Sequence, residues 1–166
     1  MLIPRPESEA IITCLRQYEP HTGRLVDVGT GSGCLGITAK LEIPALDVTL
    51  TDNSRHALAV ARENATRLHA HVDIIQSDLL SATFGTFDGI IANLPYVDAS
   101  WERSPETNCE PAEALFANNN GLALINKLLA QTDTALNNSG WLYRELLSAL
   151  HAQSIFPYSL DRKSVV

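Results

Sequence analysis

The sequence predicts an α/β fold in which a mostly parallel sheet carries helices on both faces. Its 166 residues are enough for one domain, since domains average roughly 150 residues. Short segments rich in β-branched residues alternate with segments whose apolar residues recur at helical spacing. A glycine-rich turn stands between the first of these strands and the helix after it. Such alternation builds parallel sheets with crossover helices, so we expect residues 1–166 to form a single domain of this class.

The composition is that of an ordinary globular protein. Hydrophobic residues make up 45% of the chain and charged residues 19%, which excludes a collagen, a coiled coil and a wholly disordered chain. No apolar run approaches the roughly 18 residues of a membrane helix, and the first residues lack the pattern of a signal peptide. We therefore expect a cytoplasmic protein that does not associate with membranes.

Charge and metal-ligand spacing exclude two further classes of site. The 12 Lys and Arg residues stand against 19 Asp and Glu residues, and the net charge of −7 disfavours general binding of nucleic acid, which needs clustered basic side chains. Cys14, Cys34 and Cys109 lie far apart and indicate neither a disulfide framework nor a zinc site. His69 and His71 lack partners at ligand spacing, so no metal site is predicted.

The first half of the chain alternates between helices and strands. Ile11, Ile12 and Leu15 recur at helical spacing, and residues 46–52 alternate and are rich in β-forming residues. Ser54 can cap the helix that follows. The predicted elements are a helix over 7–18, a strand over 24–28, a helix over 34–41, a strand over 46–52 and a helix from 54 to about 68.

The second half continues the alternation. The predicted elements are strands over 72–76 and 87–92, a polar loop over 97–120, a helix over 122–136 and a fifth strand that begins at Gly140. Leu146, Leu147 and Leu150 indicate a further helix, and residues 158–166 a last strand.

Four polar features lie at or just past the ends of predicted strands. They are the glycine-rich turn, Asp52, Asp78 and Asn93. Ligands of open parallel sheets bind beyond the carboxyl ends of the strands, so we expect these features to share one crevice.

The glycine-rich turn, residues 26–33, is the strongest local signal. Residues 31–36 also fit the dinucleotide pattern G-x-G-x-x-G. A phosphate-binding P-loop is excluded because Ile37, not Lys, follows Gly36, and a nucleophile elbow is excluded because Ser32 has no glycine two positions away. A nicotinamide-binding turn stays open. Asp27 argues against it, because nicotinamide enzymes usually keep this part of the strand apolar. An acid there followed by G-x-G-x-G resembles the S-adenosylmethionine (SAM) turn of class I methyltransferases.

Two acids after the next strands suit a nucleoside ligand. Asp52 stands about 20 residues past the turn, where an acid can hydrogen-bond a ribose diol. Its alternative role is to cap the helix near Ser54. Asp78 follows the third strand, where it would face an adenine amino group, and its alternative is an ordinary loop acid.

Residues 93–96, Asn-Leu-Pro-Tyr, end the fourth strand and resemble the (Asn/Asp/Ser)-Pro-Pro-Tyr motif of methyltransferases that act on planar nitrogens. The side-chain oxygen of Asn93 and the backbone carbonyl of Leu94 could each accept one hydrogen of a target NH₂ group. Pro95 keeps Leu94 extended, and Tyr96 offers a flat face to the substrate. The alternative is a turn that ends the strand without chemistry.

The chain as a whole resembles the release-factor glutamine methyltransferases, the HemK/PrmC family. The match runs from Pro4 to about Leu136. Its specific parts are residues 5–9, Arg-Pro-Glu-Ser-Glu, and residues 110–115, Glu-Pro-Ala-Glu-Ala-Leu. The glycine turn, Asp52, the Ser-Asp-Leu of residues 77–79 and the Asn-Leu-Pro-Tyr stop belong to the same match.

The resemblance implies a Rossmann-like class I methyltransferase that uses SAM. It would methylate the glutamine of the Gly-Gly-Gln motif in peptide-chain release factors, which would be its protein partners. The cofactor-binding residues would be Asp27, Gly29, Thr30, Gly31, Ser32, Gly33, Asp52, Asp78, Leu79 and Asn93. Substrate would be held by Asn93, Leu94, Pro95 and Tyr96, of which Asn93, Pro95 and Tyr96 would be catalytic.

The sequence departs from the family pattern at several places. The family's N-terminal helical domain is absent from these residues. Leu94 replaces the first proline, which keeps the carbonyl but loosens the turn. Asn119 and Asn120 stand where the family favours glycine, and no Glu-x-Gly follows Arg144. The last residues are too few for the usual helix and antiparallel pair, so we expect shortened C-terminal strands.

Three other functions stay open. Ribosomal RNA adenine dimethyltransferases also carry Asn-Leu-Pro-Tyr, so an adenine-N6 methyltransferase acting on RNA or DNA is the main rival. The net charge and residues 5–7 argue against it. The compressed C-terminal region suits an inactive SAM-binding remnant, and a nicotinamide oxidoreductase is the third alternative.

Overall fold

The computed structural model of the protein describes residues 9–19, 21–94, 123–144 and 156–159. Within these residues the chain forms helices and strands in alternation. The helices are α1 (Glu9–Tyr18), α2 (Cys34–Glu42), α3 (Arg55–Arg67) and α4 (Ala123–Ala135). The strands are β1 (Gly23–Val28), β2 (Leu46–Asp52), β3 (Asp73–Gln76), β4 (Phe87–Ala92), β5 (Leu136–Arg144) and β6 (Phe156–Ser159).

The six described strands form one sheet in the order β3-β2-β1-β4-β5-β6. The first five run parallel, and β6 pairs antiparallel with β5. The strand order reverses between β1 and β4, which is the switch point where open α/β sheets bind ligands. The predicted α/β class with a mostly parallel sheet and short C-terminal strands is confirmed.

Apolar side chains cover both faces of the sheet. On one face, residues of α1, α2 and α3 pack in a single buried cluster with Leu25 of β1 and Leu50 of β2. On the other face, Val26 and Val28 of β1 pack in a cluster with Leu128 of α4. Successive residues of β1 therefore point to opposite faces, as a strand buried on both sides requires. None of the helices in the described part of the chain is long and apolar enough to cross a bilayer.

Helix α2 lies very close to the strands beneath it because it carries a glycine at the point of contact. A Cβ atom on Gly36 would lie 2.2 Å from Leu50 Cδ2 and 3.1 Å from Asp27 Oδ2. Asp27 and Leu50 are register partners on β1 and β2. Gly36 thus sets the distance between α2 and the strand that carries Asp27.

The sequence prediction for the fifth strand was wrong at its start. Strand β5 begins at Leu136, immediately after α4, and not at Gly140. Leu136 pairs with Phe87, and the register shifts before Gly89 pairs with Trp141. Asn and Ser are poor strand formers, so the Asn-Asn-Ser of residues 137–139 gave no local strand signal.

The last strand also begins earlier than predicted. Strand β6 starts at Phe156, two positions before the predicted start at Tyr158, and gives β5 an antiparallel neighbour. The compressed sequence therefore still supplies one antiparallel strand at this edge. The predicted loop over 97–120, the predicted helix around residues 146–150 and residues 160–166 lie outside the described residues.

Substituting Gly36 with Ala tests the close contact between α2 and the sheet. Alanine favours a helix interior by about 1 kcal/mol over glycine, yet overpacking against Leu50 and Asp27 costs about 1–3 kcal/mol. We therefore expect Gly36→Ala to lower the free energy of unfolding in urea titrations followed by circular dichroism. Leu50→Val removes the clashing Cδ atoms, so the same substitution should cost less in that background. An equal cost in both backgrounds would contradict this account.

Candidate functional site

The polar features predicted to meet do follow neighbouring strand ends at one edge of the sheet. Val28, the last residue of β1, is the register partner of Thr51 on β2 and of Ala92 on β4. Asp52 is in turn the partner of Gln76, the last residue of β3. The glycine turn, Asp52, the loop after β3 and the stop after β4 therefore begin side by side.

The glycine turn uses backbone conformations that side chains disfavour. Gly29, Gly31 and Gly33 have φ angles of 69°, 58° and 82°, all in the left-handed region. Glycine reaches this region without steric cost, which explains why glycine recurs at every second position. The turn connects β1 to α2, which begins directly after Gly33.

Hydrogen bonds from neighbouring elements fix the turn. Thr30 N donates to Thr51 O on β2 (2.9 Å), and Gly31 N donates to Asp52 Oδ2 (3.0 Å). Asn64 Nδ2 of α3 donates to Ser32 O (2.9 Å). The turn is therefore fastened to β2 and α3 as well as to its own strand.

Asp27 supports the turn from below. Its side chain is 1% exposed, and its Oδ2 accepts hydrogen bonds from Thr30 Oγ1 (2.6 Å) and Gly36 N (2.9 Å). Burial raises the pKa of Asp27 to about 6, although both hydrogen bonds pull it down, and the nearby Asp52 carboxylate adds a smaller upward push. Asp27 thus joins β1, the turn and α2 through one carboxylate oxygen.

Asp52 holds the turn from the other side. Its Oδ2 accepts from Gly31 N, and its Oδ1 accepts from Ser54 N at 2.8 Å. The side chain that caps α3 is Ser54, whose hydroxyl accepts from Ala57 N at 3.3 Å. In the structure Ser54, and not Asp52, therefore caps α3. Each carboxylate oxygen carries a second lone pair, so the half-buried Asp52 can accept further hydrogen bonds from a ligand.

The loop after β3 is tied to α4. The exposed carboxylate of Asp78 forms an ion pair with Lys127, and Gln131 Oε1 accepts a hydrogen bond from Leu80 N at 2.8 Å. Leu79 adopts a left-handed φ of 55° with its side chain buried among the core residues. A ligand beside this loop would meet the carboxylate of Asp78 and the backbone of Leu79.

The stop after β4 lies beside the glycine turn. Asn93 is half-buried with its Oδ1 atom withdrawn from solvent, and Leu94 is 6% exposed. A Cβ atom built on Gly29 would lie 2.7 Å from Leu94 Cδ2, so the two residues are in contact. Pro95 and Tyr96 lie outside the described residues, as do residues 110–115 and Asn119 and Asn120.

Comparison with known proteins gives the family of the chain. A family model described as "Methyltransferase small domain" matches residues 6–119. The chain belongs to this family.

Several curated relatives of this methyltransferase small domain share one name. A release factor glutamine methyltransferase of Koribacter versatilis is 39% identical over 153 residues, which are 88% of this chain and 55% of the relative. Those of Lactococcus lactis and Enterococcus faecalis are 37% and 36% identical and are covered over 56% and 64% of their lengths. The chain thus spans little more than half the length of the curated relatives it matches.

Solved structures support the same fold. A ribosomal protein L11 methylase from Lactobacillus delbrueckii superposes with a TM-score of 0.58 at 27% identity, over 84% of this chain and 57% of that one. A methyltransferase from Pyrococcus furiosus superposes with a TM-score of 0.67 at 22% identity, over 88% of this chain and 65% of that one. The fold is that of class I methyltransferases.

Sequence reasoning missed three residues that support the site of this methyltransferase domain. They are Asn64, which holds Ser32, and Lys127 and Gln131, which hold the loop after β3. Asn64 lies next to Ala65, one of the buried apolar residues of α3, and Lys127 and Gln131 are four positions apart on one face of α4. The only local signal for these three residues is a polar side chain at each position. The residues they bind lie 32 to 51 positions away in the sequence. Among the described residues no group of three or more His, Cys, Asp and Glu side chains could hold a metal ion.

The buried Asp27 makes a prediction for the pH dependence of stability. Because burial raises its pKa from 3.8 to about 6, its contribution to stability is complete below pH 4 and is lost as the pH rises through 6. This loss amounts to about 3 kcal/mol. Asn carries no charge at any pH. The free energy of unfolding of Asp27→Asn, measured relative to that of the native protein, should therefore rise by about 3 kcal/mol as the pH is raised from 3.5 to 7.5.

Urea unfolding at several pH values measures this difference. The surface substitution Asp47→Asn, which also removes one carboxylate but lies away from the turn, serves as the matched control. A difference between Asp27→Asn and the native protein that does not change with pH would refute the assignment.

Proposed function

We propose that this domain transfers a methyl group from SAM to the side-chain amide nitrogen of a protein glutamine. The observation that carries the proposal is the direct contact between the two halves of the site, the glycine turn at Gly29 and the strand stop at Leu94. The turn supplies the features of a nucleoside and sulfonium site, and the stop supplies acceptors for an amide. The names of the curated relatives support a release factor as the protein substrate, with its Gly-Gly-Gln glutamine as the methyl acceptor.

The residues around the turn fit SAM. The free lone pairs of Asp52 can accept hydrogen bonds from the two ribose hydroxyls, and the Asp78 carboxylate can accept one from the adenine amino group. The glycines leave the backbone bare, so that the amino-acid part of the cofactor can approach it. Asp27 and Asp52 give this end of the crevice a negative field, which suits a ligand that carries positive charge.

The stop after β4 would orient the acceptor. The oxygens of the Asn93 side chain and the Leu94 backbone would each accept one hydrogen of the glutamine NH₂ group, so that the nitrogen faces the methyl group in line. Pro95 restricts Leu94 to an extended backbone, and Tyr96 would pack against the flat amide. SAM supplies a methyl group already activated by its sulfonium.

The reaction balances without a strong base in the protein. The new N–CH₃ bond forms from the nitrogen lone pair while the S–CH₃ bond breaks, and its electron pair stays on sulfur. The amide nitrogen then releases one proton to water. The products are methylglutamine, S-adenosylhomocysteine and a proton. Residues 1–166 would form the catalytic domain, acting in the cytoplasm on a release factor.

Methyl transfer from radiolabelled SAM tests this proposal. The acceptors are an intact release factor, a ribosomal RNA fragment and duplex DNA, each incubated separately with the protein. We expect label on the release factor only, and none when its Gly-Gly-Gln glutamine is replaced. Label on nucleic acid alone would establish the adenine-N6 alternative, and SAM binding without transfer to any acceptor would support the inactive remnant.

The substitution Asn93→Ala should abolish most of the transfer. Loss of one of the two acceptors leaves the amide free to rotate, and misplacement of a reacting group costs on the order of 100-fold in rate. We expect kcat to fall by about 100-fold, measured with saturating SAM and release factor. Asn138→Ala, an exposed residue of β5 away from the crevice, is the matched control and should leave kcat unchanged.

A further inference from the structure

The side chain of Leu94 is buried at the very position where the family pattern has proline. Leu94 is 6% exposed and belongs to the buried cluster on the α4 face of the sheet. That cluster also contains Val28 from the end of β1, Leu79 and Leu80 from the loop after β3, and Leu128 from α4. Leu94 therefore lies where β1, the loop after β3 and α4 meet beside the proposed cofactor site.

Leu94 also occupies the space above the first glycine of the turn. Gly29 has a left-handed φ of 69°, and a Cβ atom there would lie only 2.7 Å from Leu94 Cδ2. The absent side chain of Gly29 leaves the room that the leucine fills. The contact joins the residue proposed to bind the methyl acceptor to the turn proposed to bind the methyl donor.

We propose that Leu94 is a positioning residue whose buried side chain aims its own backbone carbonyl at the glutamine amide. The inference rests on the proposed function and deepens it. In the family pattern the ring of a proline fixes the φ angle of this residue. A side chain that a close-packed core holds in one rotamer restrains the backbone of its own residue as well. Pro95 restricts the ψ angle of Leu94 from the following position, so that both angles are constrained.

The anchoring corrects the expectation that leucine loosens this turn. A leucine exposed to solvent would leave the carbonyl free to rotate, whereas this one is buried, with 6% of its surface exposed. Because the same side chain touches Gly29, the carbonyl keeps a fixed place relative to the turn. Methyl transfer needs the donor and acceptor atoms in line, and displacements near 1 Å cost about 100-fold in rate.

Three substitutions of Leu94 separate positioning from simple packing. Leu94→Ala removes the anchor, and we expect kcat to fall by about 10- to 100-fold while the Kd for SAM changes by less than about 2-fold. Leu94→Met keeps the volume, and we expect its kcat to stay within about 3-fold of the native value. Leu94→Pro removes most of the buried side chain but restores the ring constraint, so its kcat should exceed that of Leu94→Ala by about 10-fold.

Leu136→Ala is the matched control, because Leu136 is a buried leucine of the same cluster but pairs with Phe87 at the start of β4, the end of that strand opposite to the stop. It should lose as much thermal stability as Leu94→Ala and keep the native kcat. All variants are assayed on a release factor at a temperature where circular dichroism shows them folded.

The outcomes are distinct. A native kcat in Leu94→Ala would overturn the inference. An equally low kcat in Leu94→Pro and Leu94→Ala would also overturn it, since buried volume rather than carbonyl direction would then control the rate. No transfer by the native protein would overturn the proposed function, and the inference with it. The expected order, with methionine highest, proline next and alanine lowest, supports both.

Discussion

The glycine turn after β1 is held by two carboxylates, and the arrangement of the whole crevice depends on them. Asp27 fastens the turn to α2 through Thr30 and Gly36, while Asp52 fastens it to the end of β2 through Gly31. A turn with three left-handed glycines has little conformational preference of its own. These hydrogen bonds fix the shape of the turn, and the stop after β4 packs against it at Gly29.

This support comes at a cost to stability that the core offsets. Asp27 is buried, and the rise of its pKa measures how unfavourably the charged carboxylate is solvated there. Gly36 removes a side chain from α2 at the point where a larger residue would push the helix away from Asp27. Strained or poorly solvated groups of this kind persist where the surrounding structure fixes them, and they concentrate at functional sites. Leu79, with its left-handed φ and buried side chain, is a second case in the same crevice.

Much of this architecture is predictable from local sequence. The bounds of β2 and β4 match the prediction, and Ser54 caps α3 as predicted. These features depend on residue spacing and side-chain chemistry within a few positions. The turn and Asp52 could be placed together because parallel strands end at the same edge of a sheet.

The features that escaped prediction depend on contacts between distant residues. The early start of β5 is accompanied by a hydrogen bond from Asn137 to Asp88, 49 residues away, which no local pattern reports. The hydrogen bond from Asn64 to Ser32 likewise joins residues that are distant in the sequence. Leu94 is the clearest example, because its replacement of a proline suggested a looser turn while its side chain is packed against Gly29. Local sequence pattern predicts which polar groups lie near the ends of the strands. How rigidly each group is positioned depends on packing between residues that are distant in the sequence.

The central claim is that the crevice around this turn binds SAM, and equilibrium binding by isothermal titration calorimetry tests it most directly. The account predicts saturable binding of one SAM per chain that S-adenosylhomocysteine displaces and NADH does not. It predicts that Asp52→Ala weakens this binding while the protein stays folded. Saturable binding of NADH, or unchanged affinity for SAM in Asp52→Ala, would contradict the account.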